Sequence, residues 1–363
     1  MAQDQLTEEI IEKEKERETI TTEQTNNNDW LAQTPEEALE PERPIVDPHH
    51  HLFIRRPNTE ANYFVPKFFA DIEASGHNIV SSVYIECSAM YRQDGPEAMR
   101  PVGEVEFANG QAAMAASGNY GPTRICAGII GFANLRLGSA VGDVLDAQIA
   151  AGGGPSGRFK GIRFPGTWSA DPAIRHGSNK PSENQFSEPT FREGLAELAP
   201  RNLVFEAWCY HTHIAHVTDL ARAFPDTIFA LNHFGGPIGT GPYAGKQDEV
   251  FEQWRKDMTD LAQCENVHAK LGGLQMEVNG YGWHERAQPP GSEELCQATE
   301  RWHEHALDVF GIKRCMFESN FPVDKMSCSY GVLWNSFKRL TADYSGAEKA
   351  ALFHDNASRV YQL

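Results

Sequence analysis

From residue 44 onward, short apolar runs alternate with longer amphipathic stretches. The apolar runs are Ile45–Leu52, Ile79–Cys87, Ile125–Phe132, Phe159–Phe164, Leu203–Trp208, Ile228–Phe234, Val267–Leu271 and Cys315–Phe321. They are rich in Val, Ile and Phe, and most are bounded by Gly, Pro or Asn, the composition of buried strands. Helical spacing fills the intervals at Lys67–Ser75, Val102–Ser117, Ala140–Ala151, Phe191–Leu198, Ile214–Phe224, Glu249–Gln263, Glu293–Phe310 and Val332–Asp343. Strands that are each followed by a helix predict an α/β fold, and this count predicts a (β/α)8 TIM barrel. A doubly wound sheet would want a Gly-rich turn after its first strand; this chain is His-rich there. Thr167–Thr190, Gly235–Lys246 and Gln275–Ser292 follow strands four, six and seven. In a barrel these long loops fall on the C-terminal face, where they cover an active site.

Charge divides the chain in two. Residues 1–43 hold 13 acidic and four basic side chains, a net −9 that is half of the chain's −18. Acidic polar sequence buries too little apolar surface to order itself. Residues 1–43 therefore read as an arm, flexible or docked, and 44–363 as the barrel, with Pro41, Pro44 and Pro48 marking the junction. Net acidity argues against nucleic acid or an anionic membrane as partner. No apolar run approaches the roughly 18 residues of a membrane span. Seven Cys without a Cys-x-x-Cys pair suggest neither a disulfide framework nor a zinc ribbon. The expectation is a cytoplasmic protein acting on a small molecule, with a homo-oligomer left open.

The candidate chemistry clusters at strand ends. Within Asp47-Pro48-His49-His50-His51, alternation puts Asp47, His49 and His51 on one face and His50 on the other. His49 and His51 can share one divalent metal, zinc or manganese; a metal-independent mechanism is the alternative. His211 after strand five and His233 at the end of strand six are candidates to polarise a substrate carbonyl. Strand eight leads into Glu318, Asn320 and Asp324, where a carboxylate could serve as general base. Glu86, Arg163 and Lys270 bring charge to the ends of strands two, four and seven, where it lines the mouth or is expensively buried. With Arg92, and with Arg55 and Arg56 in the first loop, they are candidate substrate-binding groups, the arginines for a carboxylate. Trp168, Trp208 and Trp283 could frame a flat ring.

Four of these segments carry a resemblance. The Asp-x-His-x-His strand, Gly-Ile-Arg at 161–163, Asn-His-Phe-Gly-Gly-Pro at 232–237 and Met-Phe-Glu-Ser-Asn-Phe-Pro-Val at 316–323 resemble the amidohydrolase-related (amidohydrolase 2) barrels. Among these, the branch holding 2-pyrone-4,6-dicarboxylate lactonase and sugar lactonases is most similar. The resemblance runs over about residues 44–363. It implies a distorted (β/α)8 barrel that hydrolyses a small, carboxylate-bearing lactone or related cyclic ester or amide at the strand C-termini. It matches His49 and His51 to the family's strand-one pair, Arg163 to its strand-four arginine and His233 to its strand-six histidine.

The family ends strand eight with Ser-Asp-x-Pro, whereas this chain has Ser319-Asn320-Phe321-Pro322. Asn cannot ionise, so the base role passes to Asp324 as first choice, or to Glu318. No carboxylated-lysine pattern supports a second metal; the branch allows one ion or none. Two rival readings are a metal-dependent decarboxylase of an aromatic or unsaturated acid, and a ligand-binding barrel without catalysis.

Overall fold

The structure, a computed structural model, describes residues 28–54, 62–174 and 179–363. Arg55 and Arg56 lie outside the described residues, as does most of the acidic arm. Eight parallel strands run in sequence order around one sheet: β1 Ile45–His50, β2 Ile79–Ile85, β3 Arg124–Gly131, β4 Phe159–Arg163, β5 Val204–Ala207, β6 Phe229–Leu231, β7 Val267–Leu271 and β8 Cys315–Phe317. A helix follows each: α1 Val65–Ser75, α2 Val102–Ala116, α3 Val141–Ala151, α4 Pro189–Leu195, α5 Ile214–Ala223, α6 Gln247–Leu261, α7 Ser292–Phe310 and α8 Tyr330–Leu340. This is the (β/α)8 barrel that the periodicity predicts. No helix among the described residues is long and apolar enough to cross a membrane, and all seven cysteines are free.

Alternation along each strand builds two cores. One side chain parity packs outward against the helices, as Phe205, Phe229, Leu271 and Phe317 do with Trp254, Trp334 and Phe337. The other makes an inner apolar floor from Val46, Val83, Ile85, Ile130, Val204, Ala230 and Met316. Ala357, Val360 and Tyr361, from a closing helix at Asn356–Tyr361, pack into the same floor. One step further along the strands, that inward parity delivers Arg163, Glu206, Lys270 and Glu318, all buried. The barrel therefore carries a charged layer directly above an apolar one.

Register shifts interrupt the β1–β2, β2–β3 and β3–β4 pairings, and the one in β1 bears on the site. The register of β1 against β2 shifts between Asp47 and His50, around Pro48, which lacks the N–H that a regular ladder would need. The shift resets alternation and corrects one expectation. Asp47 does not share a face with His49; its carboxylate accepts from Tyr330 Oη at 2.9 Å in α8 and from Ser319 Oγ at 2.6 Å. Burial pushes this carboxyl up to about 6, against the hydrogen bonds from Ser319 and Tyr330. His50 faces outward as expected and stacks on Phe68.

β1 and β8 meet beyond the strand proper. Asn320 N donates to His49 O at 2.9 Å and His51 N to Phe321 O at 2.7 Å. The described part of the arm is docked. Glu36 accepts from Ser292 N at 2.7 Å and Asn335 Nδ2 at 3.0 Å, and Lys338 Nζ donates to the carbonyls of Leu39 and Glu40 at 2.6 and 2.9 Å. Residues 28–43 thus follow α7 and α8.

Candidate active site

The site is built where the charged layer meets the C-terminal strand ends. His49 and His51 flank the β1–β8 seam, and their Nε2 atoms converge to 3.2 Å. His51 Nδ1 lies 2.8 Å from Ile85 O, and His49 Nδ1 lies 2.8 Å from Glu318 Oε2. An acceptor opposite Nδ1 selects the tautomer with the proton there, which leaves a lone pair on each Nε2. Two lone pairs thus face one another in a buried site. Burial, followed by the charges of Lys270 and Arg163 among others, holds His49 far below the usual imidazole range, so protonation does not resolve the clash.

Glu318 joins two imidazoles. Its Oε1 lies 2.7 Å from His233 Nδ1 and accepts from His233 N at 3.2 Å, while its Oε2 faces His49. Burial alone would raise this carboxyl; His233 and Lys270 outweigh it and hold Glu318 below the usual range, hence ionised. His233 reaches Glu318 from a left-handed backbone, φ 52°, followed by Phe234 at φ 57°. Such conformations cost of order 1–3 kcal/mol and persist where surroundings enforce them. Space for the ring comes from Gly273, whose Cβ, were it another residue, would sit 2.3 Å from His233 Nδ1.

Arg163 and Glu86 form a buried pair. Arg163 Nε donates to Glu86 Oε1 at 2.7 Å and Nη2 to Glu86 O at 2.6 Å, leaving Nη1 at 3.3 Å from His49 Nε2. Glu86 is thereby committed to orienting Arg163. Lys270 is also spoken for. Its ammonium is fully buried among Pro48 O, Glu206 and Glu318, beneath the imidazoles, and so does not face the mouth as a substrate-binding group.

Other expectations are redistributed. Arg92 lies on the surface, paired with Glu106 of α2, and is not brought to the site. Trp168 stands edge-on to His213, with ring centroids 5.7 Å apart. His211 is buried under the loop after β6, where its Nδ1 accepts from Ile238 N at 3.3 Å and its ring meets Tyr243. Burial lowers it to about 4, so it is neutral at physiological pH. Asn320, at φ 54°, donates from Nδ2 to Asp324 Oδ1 at 2.7 Å. Asp324 does fold back toward the barrel, but it is wholly buried. Burial raises its carboxyl well above the usual range, hydrogen bonds notwithstanding, with the Glu318 charge adding to the rise. A carboxyl that burial makes harder to ionise, and whose Oδ1 is already taken by Asn320, is less suited to the base role than Glu318.

Glu206 was missed as a site residue, whereas Trp208 was among the tryptophans expected to frame a ring. Trp208 stands edge-on to His233 with ring centroids 4.7 Å apart. The available signal for Glu206 was a lone carboxylate in the apolar run Leu203–Trp208, matched by Lys270 in another apolar strand.

The donor set can be tested against a metal ion. Zinc–imidazole bonds of about 2.0–2.1 Å near a tetrahedral angle place ligand nitrogens roughly 3.3 Å apart, close to the 3.2 Å observed for His49 and His51. The opposing Nδ1 acceptors are the outer partners that metal-ligating histidines use. A second grouping, His49, His233 and Glu318, has ligand atoms within 4.8 Å of one another. There, however, both carboxylate oxygens are already turned to Nδ1 atoms, so the Nε2 pair is the better fit. Arg163 Nη1 competes for the same His49 lone pair.

A sequence profile described as amidohydrolase matches residues 46–363. The chain belongs to the amidohydrolase family. Membership makes it an enzyme of the hydrolase class, and agrees with the resemblance carried by the strand-end motifs. The amidohydrolase is 33% identical over 340 residues to the uncharacterized protein y4mH of Sinorhizobium fredii, covering 88% of this chain and 98% of that one. It is 26% identical over 174 residues to an L-fucono-1,5-lactonase of Burkholderia multivorans, covering 48% of this chain and 56% of that enzyme. In fold it is similar to a crystal structure of a Burkholderia multivorans amidohydrolase with bound zinc. That match has a TM-score of 0.65 at 23% identity, with 88% of this chain and 99% of that chain covered.

Proposed function

We propose that this amidohydrolase hydrolyses a small lactone bearing hydroxyl or carboxylate groups, at the cluster of His49, His51, Arg163, His233 and Glu318. The observation that carries the reading is the carboxylate of Glu318 shared between His49 and His233. A carboxylate at Nδ1 orients an imidazole and leaves its Nε2 basic, the arrangement that general-base catalysis uses. His233 is the group to accept the proton of the attacking water and to return it to the ring oxygen as the lactone opens. Arg163 Nη1, the guanidinium nitrogen not engaged by Glu86, is directed to the same space and would meet a substrate oxygen there. The similarity to a lactonase supports the substrate class.

His49 and His51 would hold one divalent ion, with zinc as the first choice. Such an ion would polarise the lactone carbonyl and acidify water. Asn320, hydrogen-bonded to Asp324, orients rather than ionises.

The test is a panel of aldono-1,4- and 1,5-lactones, L-fucono-1,5-lactone among them, together with a pyrone dicarboxylate and hydroxybenzoic acids. Proton release with a pH indicator is followed alongside carbon dioxide release. Saturable proton release from at least one lactone is expected. Carbon dioxide from aromatic acids, with no lactone opened, would replace this reading with the decarboxylase.

A further inference from the structure

The least expected feature of the barrel is a buried ammonium. Lys270 Nζ lies inside the barrel with no exposure and finds Pro48 O at 2.8 Å, Glu206 Oε2 at 3.0 Å and Glu318 Oε2 at 3.3 Å. A buried ion pair of this kind seldom stabilises more than apolar residues of the same volume would. Stability alone gives no reason for it, but its contacts do.

Pro48 is the residue before His49, and Glu318 Oε2 is the oxygen facing His49 Nδ1. One ammonium therefore grips the backbone leading into His49 and the carboxylate on the far side of its ring. Glu206 repeats the pattern on the other side. It accepts from Asn232 Nδ2, and Asn232 is the residue before His233. Its remaining partner is the Tyr361 hydroxyl, rising through the apolar floor from the closing helix. The Tyr361 ring centroid lies 5.6 Å from Lys270 Nζ.

We infer that Lys270, Glu206 and Tyr361 are positioning residues, a polar column that sets His49 and His233 against their common carboxylate from beneath. The inference rests on the reading that these imidazoles are the reacting centre. Lys270 sets its positive charge against the same Glu318 oxygen that faces His49, and so fixes where that carboxylate sits between the two rings. Glu206 fixes Lys270, and Tyr361 fixes Glu206.

Tyr361→Phe tests this, because the ring stays in the floor and only the hydroxyl is lost. The readout independent of turnover is the imidazole ¹⁵N–¹H spectrum of the full chain. The Nδ1 protons of His49 and His233, assigned by single His→Gln variants, are expected to shift or broaden. On any lactone the parent enzyme opens, kcat should fall about fivefold or more with KM within about twofold, because the loss is one of geometry at the reacting groups. Lys270→Met should fall further. If it does not fold, Tyr361→Phe carries the test alone.

Unmoved imidazole resonances in Tyr361→Phe, or a lowered melting temperature with kcat unchanged, would overturn the inference and make the column a matter of packing. Should the parent open no lactone, the functional reading fails by itself, and the spectra still decide whether the column positions the rings.

Discussion

His49 and His51 turn bare Nε2 atoms toward each other at 3.2 Å, each with an acceptor already opposite its Nδ1. Purified without chelator, the enzyme is expected to carry close to one divalent ion per chain. His51→Ala should reduce that content and lower turnover by on the order of 100-fold or more. Its far-ultraviolet circular dichroism should match the parent, because a ring at the strand end supports little of the core. Arg163→Gln should tighten metal binding by removing the guanidinium that contends for the His49 lone pair. Full activity after exhaustive chelation, with His51→Ala turning over at the parental rate, would place the chemistry elsewhere.

The second prediction separates the carboxylates. Glu318→Gln and His233→Asn should each lower kcat by roughly 10²–10⁴, the size of general-base effects. Asp324→Asn should cost less than about tenfold, since burial raises that carboxyl and its Oδ1 is held by Asn320 rather than by a reacting imidazole. Steady-state rates on one lactone are sufficient. The reverse ranking would return the base role to Asp324.

Acid should destabilise the fold. Burial holds His50 at about 3 and His77, His211, His268 and His303 at about 4, so the folded chain keeps these rings neutral. Unfolded imidazoles protonate near 6.5, so below that pH the unfolded state binds more protons and stability falls as pH falls. The loss begins near pH 6.5 and accumulates down to about 4, at up to about 1.4 kcal/mol per pH unit for each fully buried ring. Asp47, Glu104 and Asp324, all raised by burial, run the other way over part of this window. The imidazoles outnumber them. Urea unfolding at pH 5 should give a lower midpoint than at pH 7 with the same m-value. An equal or higher midpoint at pH 5 would contradict this balance.

The arm should divide at its docked portion. A chain beginning at Asn28 is expected to melt within about 2 °C of the full length, whereas one beginning at Pro44 should melt about 5 °C lower or more. The difference reflects the lost bonds of Glu36, Leu39 and Glu40 to α7 and α8, which leave Asn335 and Lys338 without those partners. Equal melting of both truncations would show that the docked stretch adds nothing.

The strands were legible because a barrel wall buries both faces, and short, nearly unbroken apolar runs such as Ile125–Phe132 fit that wall. The imidazole pair was legible from strand alternation, but Asp47 was not. A register shift at Pro48 moves it to the opposite side, and proline inside a strand was the only warning. Lys270 could be read as a charge at a strand end, yet whether it looks up into the mouth or stays in the barrel depends on a partner 64 residues away. Arg92 fails for the opposite reason. Nothing local says that its loop leads to Glu106 rather than to the mouth.

The seam between β1 and β8 has a consequence for the order of assembly. The bonds that close the ring, Asn320 N to His49 O and His51 N to Phe321 O, belong to the residues of the reactive cluster or to their immediate neighbours. A partly folded chain with seven strands paired and the ring still open has no joined His49, Glu318 and His233. During refolding, recovery of turnover should therefore coincide with the final cooperative step, with no inactive closed barrel maturing afterwards. In this protein, enzyme activity is a clock for ring closure.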